Sequence, residues 1–316
     1  MITLGIDTSN YTTSCAIYIS NDDKVIQKKR LLPVKNGEKG LRQSDAVFHH
    51  TQQLHILLNE LFDEYTGDVD AIGVSSRPRD VEGSYMPCFT VGINTAYSVG
   101  AVIGKPVFEF SHQSGHIAAA AYSAGKIDLL NNSFIAFHVS GGTTEGLLVS
   151  PDSEKIIKER IITDTADLNC GQIIDRCGVM LGLKFPCGPE LEKLALTSEN
   201  FIAPKICFKN GKCNLSGVEN KCKDLLNKGM NHSDIALFCL NSVCATVSAM
   251  TDFCVTECGN LPILYAGGVM SNSIIKKTLS DRFNAFFADP VFSSDNAAGT
   301  AILTYLLTYL KGEKNA

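Results

Sequence analysis

The sequence lacks the features that mark several classes of protein. Its twelve cysteines form no C-x-x-C pair, and the chain opens on a strand-like segment, residues 2–7, without the basic start of a secretory signal. No apolar run approaches the roughly 20 residues that cross a bilayer. We therefore expect a cytoplasmic protein in a reducing compartment, without a membrane segment, whose cysteines are mostly small buried apolar residues.

Positive charge is also scarce. The chain has 28 Lys and Arg against 33 Asp and Glu, for a net charge of -5. Because neutralising phosphates needs clustered Lys and Arg, a local patch or a partner must supply the positive field if RNA is a substrate. The most basic stretch, residues 209–234, predicts loops with one short helix. It is interpreted as a solvated surface, with a contact strip for RNA or an acidic partner as the less favoured alternative.

The sequence is rich in apolar residues, and its strand-like and helix-like segments alternate along the chain. With 316 residues, 45% of them hydrophobic, it predicts a globular protein of about two domains. Strand-like segments at residues 1–6, 15–19 and 71–75 alternate with helix-like segments at residues 45–62 and 91–103. This alternation predicts an α/β fold with a parallel or mixed sheet.

Turns rich in small residues follow three of the predicted strands. A strand, a turn of small residues and a second strand occupy residues 5–17, and residues 136–149 repeat that pattern. The repeat predicts a duplicated fold with a cleft, and the backbone N–H groups of both turns could hold phosphate oxygens. A third strand ends in Gly267-Gly268 before Asn272. That turn favours either close approach of a ligand or, by preference, an ordinary tight turn with Asn272 as a helix cap.

Two histidines form a candidate metal site. His112 and His116 lie one helical turn apart and share a helix face. A glutamine replaces the general-base glutamate of metalloproteases, and Gly115 between the histidines predicts the close approach of a ligand or another element. Asp295, before an apolar helix at residues 297–310, is a candidate third ligand or merely the cap of that helix. Two histidines and a carboxylate suit Fe or Zn.

These motifs occur in the order of a known family. The chain resembles the TsaD family of tRNA threonylcarbamoyl-adenosine synthases, once called O-sialoglycoprotein endopeptidases, over nearly its whole length. The resemblance implies an actin-like ATPase fold of the actin/Hsp70/sugar-kinase superfamily. It implies two lobes around a nucleotide cleft, residues 1–107 with 297–316 and residues 108–296. The matching blocks are residues 5–9, the helix with His112 and His116, and residues 139–142, 171–176, 188–195, 215–217, 266–272 and 294–297.

The same resemblance implies the site residues. The metal ligands it implies are His112, His116 and Asp295, holding one divalent ion, Fe or Zn. The second ligand is an adenine nucleotide of the ATP or AMP type. The implied phosphate-side turn consists of His138, Val139, Ser140, Gly141 and Gly142. Asp175 is the implied carboxylate on the ribose, and the further implied contacts are Gly188, Glu192 and Asn272. No general base is identified.

The implied reaction is an acyl transfer to RNA. A threonylcarbamoyl group passes from threonylcarbamoyl-adenylate to N6 of the tRNA adenosine next to the anticodon, with the metal as a Lewis acid. The implied partners are tRNA, a TsaB-like paralogue, an ATPase partner and the enzyme that makes the adenylate.

Three departures from the family pattern leave alternatives open. They are the turn at residues 10–13, Thr143 in place of a histidine, and residues 76–80 in place of a Gly-Pro-Gly loop. They favour a divergent paralogue, either a carbamoyl-type transferase with another acceptor or a non-catalytic scaffold partner of the true synthase. Because both metal histidines are retained, the scaffold ranks below the transferase. Arg77 and Arg79 could bind an anion, although exposed loop arginines are the preferred interpretation.

Overall fold

In the computed structural model, the described strands form two sheets, and helices pack against them as the α/β prediction requires. The chain divides into two compact units. The first comprises Met1–Asn132, Ser150–Lys158 and Val291–Ala316, and the second comprises Ser133–Val149 and Glu159–Pro290. The described residues are 1–9, 11–33, 41–206, 208–293 and 297–314.

The first unit begins with a mixed sheet. Its strands are β1 (Ile2–Ser9), β2 (Thr12–Ile19), β3 (Lys24–Leu31), β4 (Ala71–Arg77) and β5 (Val107–Ser111), and its first helices are α1 (Gln43–Glu64), α2 (Phe89–Ile103) and α3 (His112–Ser123). The strand order is β3-β2-β1-β4-β5, with β1, β4 and β5 parallel to one another. Nearly every residue of β1 and β2 is buried, as in sheets that are covered on both faces.

The second unit repeats the strand–turn–strand opening that the sequence predicts. Its strands are β6 (Phe134–Val139), β7 (Thr144–Asp152), β8 (Ile156–Thr165), β9 (Phe208–Lys209), β10 (Lys212–Cys213), β11 (Ile263–Ala266) and β12 (Ala285–Phe287). Its helices are α4 (Cys170–Met180), α5 (Gly188–Ala195), α6 (Ser216–Asn227), α7 (His232–Cys258) and α8 (Ser273–Arg282). The strand order is β12-β11-β6-β7-β8-β10-β9, and β6 pairs antiparallel with β7. The basic stretch at residues 209–234 thus contains a short hairpin and a three-turn helix.

The last helix, α9 (Ala298–Lys314), returns to the first unit and packs against β1, β4 and α3. The contact with α3 is so close that a Cβ atom on Gly299 would lie 1.8 Å from the carbonyl oxygen of Gly115. A Cβ atom on Gly115 itself would lie 3.0 Å from Oγ1 of Thr300 in α9, which is the close approach of another element that the sequence predicted for Gly115. Because α3 packs on α9, the first unit extends to Asn132, beyond the predicted boundary at residue 107.

Helix α7 is the central helix of the second unit. By length and composition alone it is apolar enough to cross a membrane, but 78% of that apolar segment is buried. It packs against α4, α5, α6 and α8, as the core helix of a globular unit does. The expectation that no apolar run approaches membrane-spanning length holds for α7 residue by residue, because Ser, Thr and Asn interrupt its apolar positions; only its length and average composition reach that level.

The cysteines follow the prediction of small buried residues. The cysteines in the described part of the chain are free, and all of them except Cys258 are buried. Burial raises the pKa of the Cys15 thiol to about 12 and that of Cys254 to about 12, because the charged thiolate is poorly solvated there. These thiols are therefore neutral at physiological pH.

Candidate nucleotide pocket and metal centre

The second unit contains a cavity of about 380 Å³. It lies where the turn after β6, the first turns of α4 and α5, and the turn after β11 meet. Its volume falls in the range of roughly 300–1,000 Å³ that small-molecule pockets occupy. The lining residues are Ser140, Gly141, Gly171, Ile174, Asp175, Pro186, Gly188, Pro189, Glu192, Gly268, Val269, Ser271 and Asn272.

The sheet brings two glycine turns together at this cavity. Strands β6 and β11 are parallel neighbours, with His138 opposite Ala266, so both strands end at the same edge. Gly267 has a φ of +102°, and a Cβ atom there would lie 2.2 Å from the carbonyl oxygen of Val139. Only glycine fits this position, because the backbone conformation and the space both exclude a side chain.

Other glycines of the two turns face open space. A Cβ atom built on Gly141, Gly142 or Gly268 would meet no atom within 4 Å. By contrast, a Cβ atom on Gly171 would lie 2.6 Å from the backbone nitrogen of Gly141, so α4 begins in tight contact with the turn. The turns are thus packed on one side and open on the side where a ligand can approach the backbone.

Ser140 fixes the turn after β6. Its hydroxyl oxygen accepts hydrogen bonds from the backbone N–H groups of Gly142 (3.3 Å) and Thr143 (3.1 Å), and its own N–H donates to the carbonyl oxygen of Thr143 (2.7 Å). Thr143, which replaces the family's histidine, therefore takes part in the turn through its backbone. The side chain of Ser140 defines the shape of the turn that the open glycines present.

Asp175 joins α4 to the start of α5. Its Oδ1 atom accepts a hydrogen bond of 2.8 Å from the backbone N–H of Cys187. Among the described residues this is its one hydrogen-bond donor, so the second carboxylate oxygen keeps its capacity to accept a bond from a ligand. A half-buried carboxylate with an open oxygen is suited to bind hydroxyl groups.

Glu192 and Asn272 line the cavity beside the start of α8. Glu192 Oε1 accepts hydrogen bonds from the backbone N–H of Ser273 (2.8 Å) and from its hydroxyl group. Asn272 Oδ1 accepts from the N–H of Ile275 (3.1 Å) and thereby caps α8. The interpretation of Asn272 as a helix cap is confirmed, and the same residue also lines the cavity. A structural and a ligand-binding role are compatible here, because its side-chain N–H₂ group takes no part in the cap.

The cavity gathers most of the residues that the resemblance implies for the nucleotide. Ser140, Gly141, Asp175, Gly188, Glu192 and Asn272 line it, whereas His138 and Val139 precede the turn in β6 and Gly142 lies in the turn beside the lining. No sequence pattern indicated the apolar wall of Ile174, Pro186, Pro189 and Val269. Apolar residues at helical spacing do not reveal whether they face a core or a ligand.

The first unit brings the two predicted metal histidines together. The Nε2 atoms of His112 and His116 lie 2.9 Å apart. Two metal–imidazole bonds of about 2.0–2.1 Å hold their nitrogens about 3 Å apart, so this spacing fits two ligands of one ion. Asp295, the predicted third ligand, lies outside the described residues, and its role stays a prediction.

A carboxylate that the sequence analysis did not assign orients this pair. Asp7 in β1 is 1% exposed, and its Oδ2 atom lies 2.7 Å from Nδ1 of His112. When Nδ1 donates to Asp7, Nε2 keeps its lone pair for a metal, which is the usual arrangement around histidine ligands. The parallel order β1-β4-β5 explains the contact, since Asp7 lies near the end of β1 and His112 directly follows β5.

A third histidine of the same unit, His50, is buried. His50 on α1 is fully buried, and its Nδ1 atom forms a hydrogen bond of 2.8 Å with the hydroxyl group of Thr13. Burial lowers the pKa of His50 from 6.5 to about 4, so the ring is neutral at physiological pH. His50 therefore joins α1 to the beginning of β2.

The loop that replaces the family's Gly-Pro-Gly is held by ion pairs. Arg77 binds Asp80 through Nη2 (2.6 Å) and Nε (2.8 Å), and Lys155 binds the same carboxylate oxygen (3.0 Å). Arg77 Nη1 also donates to the hydroxyl group of Ser76. Asp80 holds Arg77 in place, but Arg77, Lys155 and Asp80 together keep one net positive charge, so the alternative that this loop binds an anion stays a prediction.

Comparison with known proteins gives the relationships of the chain. The family model of TsaD, tRNA N6-adenosine threonylcarbamoyltransferase, matches residues 33–302. A tRNA N6-adenosine threonylcarbamoyltransferase of Thermosipho africanus is 30% identical over 99% of this chain and 96% of its own length. A probable bifunctional tRNA threonylcarbamoyladenosine biosynthesis protein of Thermoplasma acidophilum is 25% identical over 96% of this chain. The chain spans 56% of the length of that relative.

Solved structures show the fold. HypF of T. kodakarensis matches 99% of this chain and 48% of its own length with a TM-score of 0.64 at 12% identity. A ROK family glucokinase of Streptomyces griseus matches 97% of this chain and all of its own with a TM-score of 0.52 at 10% identity. The predicted fold class, that of the actin-like ATPases and sugar kinases, is confirmed.

Proposed function

The chain belongs to the tRNA N6-adenosine threonylcarbamoyltransferase family, and on this premise we propose that it transfers a threonylcarbamoyl group to tRNA. The donor would be threonylcarbamoyl-adenylate, and the acceptor N6 of the adenosine next to the anticodon. The new bond joins N6 to the carbamoyl carbon, the bond from that carbon to the phosphate oxygen breaks, and AMP leaves with the proton lost from N6. The observation that carries the proposal is the cavity where six residues implied for the nucleotide converge.

The cavity supports binding of the adenylate part of the donor. The open oxygen of Asp175 would accept bonds from the ribose hydroxyl groups, while Cys187 N–H holds the other oxygen in place. The side-chain N–H₂ group of Asn272 would donate to the nucleotide, and Ile174 and Val269 would give the base an apolar wall. Acceleration then comes mainly from holding the donor in position, because positioning alone can supply several kcal/mol of a barrier.

The charge of the cavity favours a nucleotide with few phosphates. Asp175 and Glu192 are both acidic, and no Lys or Arg occurs among the described residues that line the cavity. Backbone N–H groups at the open glycines would be the donors to a phosphate oxygen. A single phosphate, as in an adenylate, meets less repulsion there than a triphosphate does.

The histidine pair supports a metal-dependent reaction. His112 and His116 would hold one Fe or Zn ion, with Asp295 as the third ligand. When bound, that ion would supply Lewis acidity toward the acyl carbonyl oxygen. Asp7 keeps the ring of His112 in the tautomer and orientation that a ligand needs. No described side chain is assigned as a general base.

The proposal also includes partners and location. A chain with a net charge of -5 would depend on a TsaB-like paralogue and an ATPase partner to present tRNA. A separate enzyme would supply the adenylate, and the cytoplasm would be the site of the reaction.

The test is the modification itself. Cells depleted of their own enzyme would be complemented with this chain, and their tRNA nucleosides measured by mass spectrometry. Restoration of threonylcarbamoyl-adenosine by the wild type, its loss in Asp175→Ala, and its retention in Asp224→Asn, an exposed carboxylate on α6, would support the proposal. A soluble wild-type chain that restores nothing would contradict it.

A second candidate keeps the site and changes the acceptor. Thr143 and the ion-paired Arg77 loop depart from the family pattern in the regions that the resemblance associates with phosphates and the acyl group. A carbamoyl-type transferase with a different amine or hydroxyl acceptor would bind AMP and metal normally yet leave tRNA unmodified. Measured AMP and metal binding in a non-complementing chain would therefore favour this candidate.

A further inference from the structure

Three cysteine sulfurs meet in the core of the second unit. They belong to Cys177 on α4, Cys222 on α6 and Cys239 on α7, and all three Sγ atoms lie within 4.8 Å of one another. Each residue is at most 1% exposed. The Sγ atom of Cys239 also lies 4.0 Å from the carbonyl oxygen of Ile173, which keeps α7 in contact with α4.

The separation of the sulfurs fits a single ion. A thiolate–metal bond of about 2.3 Å places three sulfurs in one plane about 4 Å from one another. The observed limit of 4.8 Å includes this distance, so binding needs small side-chain adjustments and no movement of the helices. In a folded core, three donors from three packed helices are already in position for such a site.

The donor set selects the class of metal. All three ligands are soft sulfurs, and no fourth His, Cys, Asp or Glu of the described residues joins the group. Structural zinc sites are closed by four protein ligands, whereas the described residues supply three here. Soft thiolate ligands select Cu(I), for which three sulfurs are a sufficient number.

We propose that Cys177, Cys222 and Cys239 bind one Cu(I) ion and that this ion joins α4, α6 and α7 behind the nucleotide cavity. Binding forms three Cu–S bonds and releases the thiol protons to solvent, with no change in oxidation state. The site differs in chemistry from the histidine pair of the first unit, which offers imidazole nitrogens. Because Asp175 lies two residues before Cys177 on α4, the ion would stiffen the helix that carries this pocket carboxylate.

The test uses the reduced full-length chain under anaerobic conditions. Cu(I) would be supplied as its complex with a competing chelator, and the protein equilibrated for hours because the site is buried. We expect one equivalent of copper in a sulfur-only environment by X-ray absorption, near-ultraviolet thiolate-to-copper absorbance, and a rise in Tm of about 3–8 °C. Copper coordinated only by nitrogen would overturn the proposal, and so would preferential binding of Zn(II) over Cu(I) at the sulfurs.

Matched variants separate ligation from packing. Cys222→Ala and Cys239→Ala each remove one donor and should lose the absorbance and the rise in Tm, and either serves if the other is insoluble. Cys244→Ala removes a buried cysteine of α7 outside the cluster and should keep both signals. A His112→Ala, His116→Ala double variant should also keep both, because imidazole copper gives no thiolate absorbance. Equal sulfur-bound copper in all variants would refute the assignment.

Discussion

The two candidate sites are built by different means. The candidate metal centre of the first unit consists of polar side chains that fix one another, with Asp7 on His112 and His112 beside His116. The nucleotide cavity of the second unit consists mainly of backbone turns, shaped by glycines and by Ser140. A site of side chains fails when a functional group is lost, whereas a site of turns fails when an atom is added. Substitutions of each type therefore distinguish them.

The largest expected effect on stability comes from Gly267 in the turn after β11, and its neighbour Gly268 serves as the control. Gly267→Ala forces a side chain into a glycine-only conformation and against Val139, so we expect a loss of at least about 3 kcal/mol in the free energy of unfolding. Gly268→Ala meets no atom within 4 Å and should change stability by less than about 0.5 kcal/mol. Urea unfolding of both variants measures the difference.

The neighbouring glycine also tests the cavity. Because Gly268 lines the cavity, the stable Gly268→Ala variant should bind AMP more weakly than the wild type. If Gly267→Ala were as stable as Gly268→Ala, the close contact with Val139 would not be what shapes the turn. If Gly268→Ala bound AMP normally, the ligand would not approach this backbone.

At the candidate metal centre, the loss of a functional group should lower the affinity for the metal. Asp7→Asn keeps the shape of the side chain and replaces an acceptor oxygen, so Nδ1 of His112 loses its charged partner. We expect metal affinity to fall about 10- to 100-fold, the usual effect of removing such an outer partner. Competition with a chelator, read by elemental analysis, measures it.

The matched control is Asp68→Asn, an exposed carboxylate of the same unit, which should leave metal affinity unchanged. An Asp7→Asn chain with wild-type affinity would show that the contact with His112 orients nothing.

Asp175 is a position where we expect ligand binding in the cavity to depend on a side chain and not on the backbone. Asp175→Asn keeps an oxygen for Cys187 N–H but replaces the charged acceptor, so AMP affinity should fall about 10-fold, as when one charged hydrogen bond is lost. Calorimetric titration with AMP measures it, with Asp224→Asn as the control. A loss in affinity for 2′,3′-dideoxy-AMP as large as that for AMP would argue that Asp175 does not contact the ribose hydroxyl groups.

Local sequence predicted the parts of this molecule that are close together along the chain. Ser111 and Asn272 cap α3 and α8 because each bonds a backbone N–H three residues ahead, and the glycine between the two histidines marked a close contact. Contacts between distant elements gave no such signal. Asp7 and His112 are 105 residues apart and meet only because two strands are ordered in one sheet.

The lack of a local sequence signal for contacts between distant elements also explains the other differences between prediction and structure. The cysteine cluster joins three helices whose sequences each show an ordinary buried cysteine. The first unit extends past the predicted boundary because α9 packs back on α3, a contact between the end of the chain and its middle. Family resemblance supplied the identities of the pocket residues, and local pattern alone would have left Asn272 as a cap.

The smallest expected effect concerns His50, a buried ring that forms a hydrogen bond with Thr13 in the first unit. Its pKa is about 4 in the folded chain against 6.5 unfolded, so between these values only the unfolded state takes up the proton. Stability should therefore fall as the pH drops, by about 1 kcal/mol between pH 7 and pH 5.5. His50→Asn should reduce this slope in urea unfolding at the two pH values, while exposed His55→Asn should keep it. An unchanged slope in His50→Asn would mean that another group carries the acid sensitivity and that the buried ring takes up its proton without unfolding.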